Sequence, residues 1–156
     1  MDATNPQDTT NQDDTDQECA ASLAMKILGK KWTLFIICEL LMCQELYFSD
    51  LQKQIHGHYG EKISARVLSE SLKGLETNGV LTRNVHSEAM PIRVGYSLTE
   101  KGEDFAVIFS ALKGWGFKWG GIKQKLCKSF ACIHNAVPII DIDEAKDLFQ
   151  IKECDD

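Results

Sequence analysis

The sequence lacks any apolar run long enough to cross a lipid bilayer, which requires roughly 20 residues. Its longest run, LFIICELLMC at residues 34–43, is much shorter than that and contains Glu39. The N-terminus also lacks the basic and apolar segments of a secretory signal peptide. These absences predict a soluble, cytoplasmic protein with no membrane partner.

The sequence also lacks the residue combinations that support catalysis. No nucleophile is spaced convincingly with a base, and no glycine-rich loop is suited to hold a phosphate. We therefore expect no enzyme activity, no cofactor and no metal. A metal site is the alternative, because four possible zinc ligands near the C-terminus accompany a His-x-His pair. These residues are His56, His58, Cys127, Cys132, His134 and Cys154. The simpler interpretation is loop histidines and free thiols, since a reducing compartment disfavours disulfides.

Positive charge is absent from the first 18 residues, which carry six acidic side chains and cannot bury enough apolar surface to fold. We expect residues 1–18 to form a disordered acidic tail. Residues 139–156 are also acidic, so the net charge of −6 conceals a basic body. Residues 19–138 hold 15 Lys and Arg against 10 Asp and Glu. A basic body of this kind is compatible with a nucleic-acid partner.

Apolar spacing predicts two helices at the start of this body, at residues 20–28 and about 31–43, separated by Gly29. The second is apolar nearly all round, which is typical of a buried central helix. Ser49 and Gln52 then form a capping box, which predicts that a short third helix begins there. The glycines of HGHYGEK, residues 56–62, predict a turn after that helix.

The next segment combines a helix with a hairpin. Residues 63–79, ISARVLSESLKGLETNG, place Val67 or Leu68, Leu72 and Leu75 on one face, and Asn78 and Gly79 end the helix. Two alternating strand patterns follow, VLTRNVH and RVGYSLT, joined by the loop SEAMPI. A further helix begins after Thr99. The order predicts a mainly α fold with a small β-hairpin, the winged helix-turn-helix.

In this architecture the second helix of the helix-turn-helix enters the major groove of DNA, and neighbouring groups hold the phosphates. Arg66 can pair with a guanine edge, and serines can contact base or phosphate oxygens. Any solvated helix face carries similar residues, so a winged-helix protein-protein interaction module is the alternative function. The residues predicted to bind double-stranded DNA are Lys31, Lys62, Ser64, Arg66, Ser69, Ser71, Lys73, Arg83 and Arg93.

Six segments carry a resemblance to a known family. Cys19 precedes GKKW at 29–32, followed by FSDLQ at 48–52, ISARVLSESLKGLE at 63–76, GVLTR at 79–83 and PIRVGYSLTEKG at 91–102. With these motifs, residues 19–120 resemble the HxlR-type transcriptional regulators, winged-helix proteins related to the MarR group. The sequence departs from the family pattern in a longer turn after Gly57 and in Gly95, where a Glu is common. Residues 121–156 would form a C-terminal extension that is partly helical.

The resemblance implies a homodimeric regulator that binds an operator of two half-sites, with flanking helices as the dimer interface. The predicted interface residues are Leu23, Ile27, Phe105, Ile108, Phe109, Leu112, Trp115 and Trp119. The aromatic stripe among them could instead close the core of one protomer.

Several HxlR-type regulators sense oxidants or electrophiles through a cysteine ahead of a GKW motif. The resemblance therefore implies a sensing role for Cys19 and an oxidant or small-molecule effector. A helix N-terminus at Cys19 would stabilise its thiolate, whereas Glu18 would oppose it.

Overall fold

The structure, a computed structural model, describes residues 19–120 and 141–146. The predicted acidic tail, residues 1–18, and most of the predicted extension lie outside these residues. The helices are α1 (Ala20–Leu28), α2 (Lys31–Met42), α3 (Phe48–Tyr59), α4 (Ala65–Thr77), α5 (Glu100–Glu103), α6 (Phe105–Trp119) and α7 (Ile142–Lys146). The strands are β1 (Leu46–Tyr47), β2 (Leu81–His86) and β3 (Arg93–Leu98). This mainly helical fold with a small antiparallel sheet confirms the predicted fold class.

Helix α2 lies at the centre of the core, as its apolar sequence predicts. Ile36 and Ile37 are completely buried and belong to the same core cluster as Leu51 of α3 and Leu72 of α4. Glu39 is also completely buried, although it is a charged residue in the middle of an apolar helix. Burial of a carboxylate requires a partner, and His58 of α3 supplies one at 2.8 Å.

Two local predictions about α3 are wrong. The helix begins at Phe48, and no side chain caps its first turn, so Ser49 and Gln52 do not form a capping box. Gln52 instead donates through Nε2 to the carbonyl of Ile63 at 2.8 Å, which ties α3 to the start of α4. The predicted turn at residues 56–62 is mostly helical, because α3 continues to Tyr59 and ends at Gly60 with φ 68°.

The sheet has the order β1-β3-β2 and is antiparallel throughout. Strands β2 and β3 form the predicted hairpin, the wing, in which Leu81 pairs with Leu98 and His86 pairs with Arg93. Strand β1 was not predicted, because a two-residue strand leaves no alternating pattern in the sequence.

The predicted helix after Thr99 is divided into α5 and α6 at Asp104. Thr99 caps α5 by accepting a hydrogen bond from the N–H of Gly102. Among the described residues, no helix is long and apolar enough to span a membrane. The metal candidates Cys127, Cys132, His134 and Cys154 lie outside the described residues.

Candidate nucleic-acid interface

Helix α4 has one buried face and one solvent-exposed face. Leu68, Leu72 and Leu75 are buried at successive helical turns, and their burial fixes the rotation of α4 about its own axis. Ser64 begins the helix, and its hydroxyl accepts a hydrogen bond from the N–H of Val67 at 3.3 Å. That hydroxyl can still donate its own proton outward. The first turn of α4 is therefore held in place at the end where a groove-reading helix meets base edges.

The exposed face of α4 contains three of the predicted DNA-binding residues: Arg66, Ser69 and Lys73. The Arg66 guanidinium donates through Nε to Glu70 at 2.9 Å, but the Arg66 side chain remains 87% exposed. An exposed ion pair four residues apart on a helix contributes only about 0.3–0.5 kcal/mol. Arg66 can therefore exchange Glu70 for a stronger partner at small cost.

Ser71 lies outside this exposed face, and its contact with DNA stays a prediction. It is half-buried and lines a small cleft with Lys26 of α1 and Lys30 beside α2. Residues one or two apart on a helix do not share a face, so Ser71, which follows Ser69 by two residues and Glu70 by one, faces α1 and α2. Lys30 was not predicted as a site residue. Of the two lysines in the GKKW motif, only Lys31 was predicted to bind DNA.

Lys31 and Lys62 are both exposed cations close to the helix-turn-helix. Lys31 donates to Glu61 at 3.1 Å, and its Nζ lies 4.8 Å from the centre of the Trp32 ring. This exposed ion pair links the start of α2 to the loop between α3 and α4. Because both side chains are exposed, this ion pair holds the loop only weakly, and Lys31 can exchange Glu61 for another partner at small cost.

The two arginines of the wing lie on opposite faces of the sheet. Arg93 is directly opposite His86, so these two side chains lie on the same face of the sheet. His86 is three residues from Arg83 on β2, and because side chains alternate along a strand, Arg83 lies on the other face. Both side chains are exposed. The Arg93 guanidinium lies over the Tyr47 ring at 5.5 Å, which is the geometry of a cation–π contact. The sequence did not identify Tyr47 as a residue that supports the site.

Helix α6 carries a stripe of exposed apolar side chains, which we name the α6 stripe. Its members are Ile108, Leu112, Trp115 and Trp119. Three of the predicted interface residues lie elsewhere: Ile27, Phe105 and Phe109 are buried in the core of the protomer. Their assignment to a dimer interface is corrected, because they are already covered by the chain's own side chains. Leu23 of α1 is exposed.

Cys19 is exposed at the N-terminal end of α1, where it occupies the capping position. Its pKa is below the ordinary value for a thiol, chiefly because of the backbone N–H of Ser22 and secondly because of that of Ala21. The thiol does not complete a capping hydrogen bond, so this effect comes from the nearby N–H dipoles at the helix end. Cys38, by contrast, is buried in α2.

Comparisons with known proteins agree with this geometry. Residues 27–124 match the HxlR-like helix-turn-helix family. An HTH-type transcriptional regulator of Methanothermobacter thermautotrophicus is 36% identical over 111 residues, which cover 71% of this chain and 79% of that protein.

Two solved structures are similar in fold and sequence. The diamide-treated YodB of B. subtilis has a TM-score of 0.53 and 32% identity, and the match covers 66% of this chain and 96% of that chain. The redox regulator HypR in its oxidized form has a TM-score of 0.52 and 27% identity, with 64% of this chain and 96% of that chain covered.

Proposed function

The chain belongs to the HxlR-like helix-turn-helix family, and on this premise we propose that α4 reads an operator in the major groove while the wing contacts the adjacent backbone. The protein is a DNA-binding transcriptional regulator. We expect it to act in the cytoplasm and to have no catalytic activity.

The exposed face of α4 is the observation that carries this proposal. Arg66, Ser69 and Lys73 project from it, opposite the buried leucines that attach α4 to the core. Arginine is suited to pair with the O6 and N7 atoms of guanine, and lysine is suited to phosphates. Arg83 and Arg93 lie on the two sides of the wing, and we propose that they contact phosphates on either side of the groove in which the wing lies.

We propose further that two copies bind an operator of two half-sites through a shared interface that includes the α6 stripe. Two exposed tryptophans, Trp115 and Trp119, form a large apolar surface for a small protomer. Aromatic residues of this kind are enriched at the centres of stable interfaces. Leu23 of α1 contributes to the same proposed interface, whereas the corrected residues in the core do not.

Replacement of Arg66 and of Arg83 by Ala should separate base reading from phosphate binding. The operator is first obtained by selecting bound genomic fragments under reduced and oxidised conditions. Arg66→Ala should weaken operator binding by about 1–3 kcal/mol and relax the preference at one base position. Arg83→Ala should weaken binding to all duplexes alike and reduce the slope of log affinity against log salt by about 1. Fluorescence anisotropy with operator and random duplexes at several salt concentrations measures both effects.

Lys101→Ala is a matched control for these variants. Lys101 is an exposed cation on α5 that donates to the carbonyl of Asn78, at the opposite end of α4 from Arg66. Its replacement should leave affinity and base preference unchanged. Equal effects of all three replacements would indicate a general loss of charge and would contradict the assigned roles. Wild-type affinity for duplex DNA that stays constant between about 50 and 200 mM salt would contradict the proposed phosphate contacts.

We propose that Cys19 is the position through which oxidants alter DNA binding. The exposed thiol with its lowered pKa has more of the reactive thiolate at neutral pH than an ordinary cysteine. Cys19 also begins α1, which carries Leu23 of the proposed interface, so a change at the thiol is close to the contact between protomers. The similarity to YodB and to the redox regulator HypR supports this proposal.

Mild peroxide treatment should change the operator affinity of the wild type by about 5- to 150-fold, the range of an allosteric coupling of 1–3 kcal/mol. Dithiothreitol should reverse the change if oxidation stops at sulfenic acid or a disulfide. Cys19→Ser should bind the operator normally and should not respond. Cys43→Ser is the control, since its thiol is half-buried beyond the end of α2. Identical responses of the wild type and Cys19→Ser would rule out Cys19 as the sensor.

A further inference from the structure

The face of the sheet that carries Arg93 also holds a carboxylate that the DNA-binding proposal does not use. Glu45, which directly precedes β1, lies across this face above Gly95 of β3. A Cβ atom built on Gly95 would collide with the Glu45 carboxylate. The absence of a side chain at position 95 is therefore what allows Glu45 to cross β3.

The Glu45 carboxylate reaches β2 on the far side of β3. Its Oε2 accepts a hydrogen bond from Asn84 Nδ2 at 3.4 Å, and its Oε1 is hydrogen-bonded to Nε2 of His86. Asn84 also donates to the hydroxyl of Ser97 on β3, at 3.1 Å. Asn84 and His86 are two residues apart and share one face. Glu45, which directly precedes the outer strand β1, is thus connected across β3 to the other outer strand of the sheet, β2.

The same set of contacts continues to Arg93. The His86 ring meets the Tyr47 ring edge to face, with centroids 5.9 Å apart, and the Arg93 guanidinium lies over Tyr47. Arg93 in turn lines a groove of about 530 Å³ together with Ser49 and Asp50 in the first turn of α3. Glu45 and Arg93 are therefore connected through His86 and Tyr47, next to the helix-turn-helix.

We propose that Glu45 is a positioning residue for DNA recognition: its carboxylate fixes the angle of the wing against α3 and, through His86 and Tyr47, the direction of Arg93. This role rests on the proposed function of the wing. The Glu45 side chain is 31% exposed, and ion pairs this exposed contribute little to global stability. Its loss should therefore affect the mobility of the wing and DNA binding far more than folding.

The sign of the effect of Glu45→Ala on DNA binding distinguishes positioning from simple charge. Removal of a negative charge near DNA should strengthen binding if only long-range electrostatics matter. The positioning role predicts the opposite, an operator affinity lower by about tenfold, as expected for the loss of one well-placed charged contact. Glu88→Ala is the matched control, because Glu88 is an exposed carboxylate in the loop of the same hairpin. It should leave binding unchanged or strengthen it.

A second carboxylate position provides a rescue. Gly95 lies opposite Asn84 and diagonal to His86, so a glutamate at position 95 can reach both when Glu45 is absent. Gly95→Glu alone should weaken binding, because the new side chain collides with Glu45. Glu45→Ala combined with Gly95→Glu should restore operator affinity to within about threefold of the wild type, a smaller loss than the roughly tenfold loss expected for Glu45→Ala alone.

Hydrogen exchange of the β2 and β3 amides, measured without DNA, tests the wing separately from its function. Glu45→Ala should accelerate this exchange about tenfold while the urea midpoint stays unchanged, since local opening can change without global unfolding. Unchanged exchange in Glu45→Ala would overturn the proposal. Faster exchange with unaltered operator affinity would also overturn it. So would a double variant, Glu45→Ala with Gly95→Glu, whose operator affinity is no higher than that of Glu45→Ala. If Arg66→Ala and Arg83→Ala also left DNA binding unaffected, the proposed function would be the part that failed.

Discussion

Leu112→Asp is expected to convert the protein into a monomer and to lower its operator affinity by at least about 100-fold. Leu112 lies in the middle of the α6 stripe and is 55% exposed in the protomer. A carboxylate at this position would have to be buried without a partner in the interface, which costs several kcal/mol. Loss of the second half-site then removes the avidity of bivalent binding, which is worth about 10²–10⁴ in affinity.

Val107→Asp is the matched control for this experiment. Val107 is on the same helix and is 66% exposed, but it lies about 100° around the helix from Ile108 and outside the stripe. The same chemical change there should leave the protein dimeric. Sedimentation equilibrium measures the mass of both variants, and anisotropy measures binding to full and half operators. A dimeric Leu112→Asp protein with full affinity would exclude the α6 stripe from the interface.

The apolar spacing of α6 could not separate the interface from the core. The sequence placed Phe105 and Phe109 in one stripe with Leu112 and Trp115, whereas the structure buries the two phenylalanines in the protomer. More than half of the circumference of α6 is apolar, and the spacing of apolar residues does not indicate which part a small domain covers by itself. That division depends on where the other helices lie, which is a property of the tertiary structure.

The helix-turn-helix and the wing were predictable because their signals are local. The buried leucines of α4, its serine cap and the glycine after it all lie within one short segment. The positions of Arg83 and Arg93 depend instead on the register of β2 against β3, which the six-residue loop sets. The contacts of Glu45 join residues about 40 positions apart, and no sequence pattern indicates such a pair.

The length of α3 also depends on a contact between residues that are far apart in the sequence, the hydrogen bond of His58 to the buried Glu39. The glycines at 57 and 60 predicted a turn, but His58 bonds to Glu39 in the core and draws the last turn of α3 into helical structure. Gly60, with its left-handed backbone, then ends the helix. A propensity for turns is a weak preference, and a hydrogen bond to a buried carboxylate is strong enough to override it.

His58→Ala is expected to lower the free energy of unfolding by about 2–4 kcal/mol, measured by urea denaturation. The replacement leaves the completely buried Glu39 without the partner that accompanies it in the core. Breaking a fully buried pair costs about 3–5 kcal/mol. The lower range applies here because the His58 side chain is 34% exposed, so water can replace part of its contact. His56→Ala, two residues earlier on the exposed side of α3, should change stability by less than about 0.5 kcal/mol.

A second change distinguishes the buried charge from the loss of packing. Replacing Glu39 by Met together with His58→Ala removes both members of the pair and leaves an apolar side chain of similar size in the core. Replacement of a buried pair by apolar residues is often neutral or stabilising, so the double variant should recover most of the lost stability. A double variant less stable than His58→Ala would mean that Glu39 is held by contacts other than His58, and the extension of α3 would need a different cause.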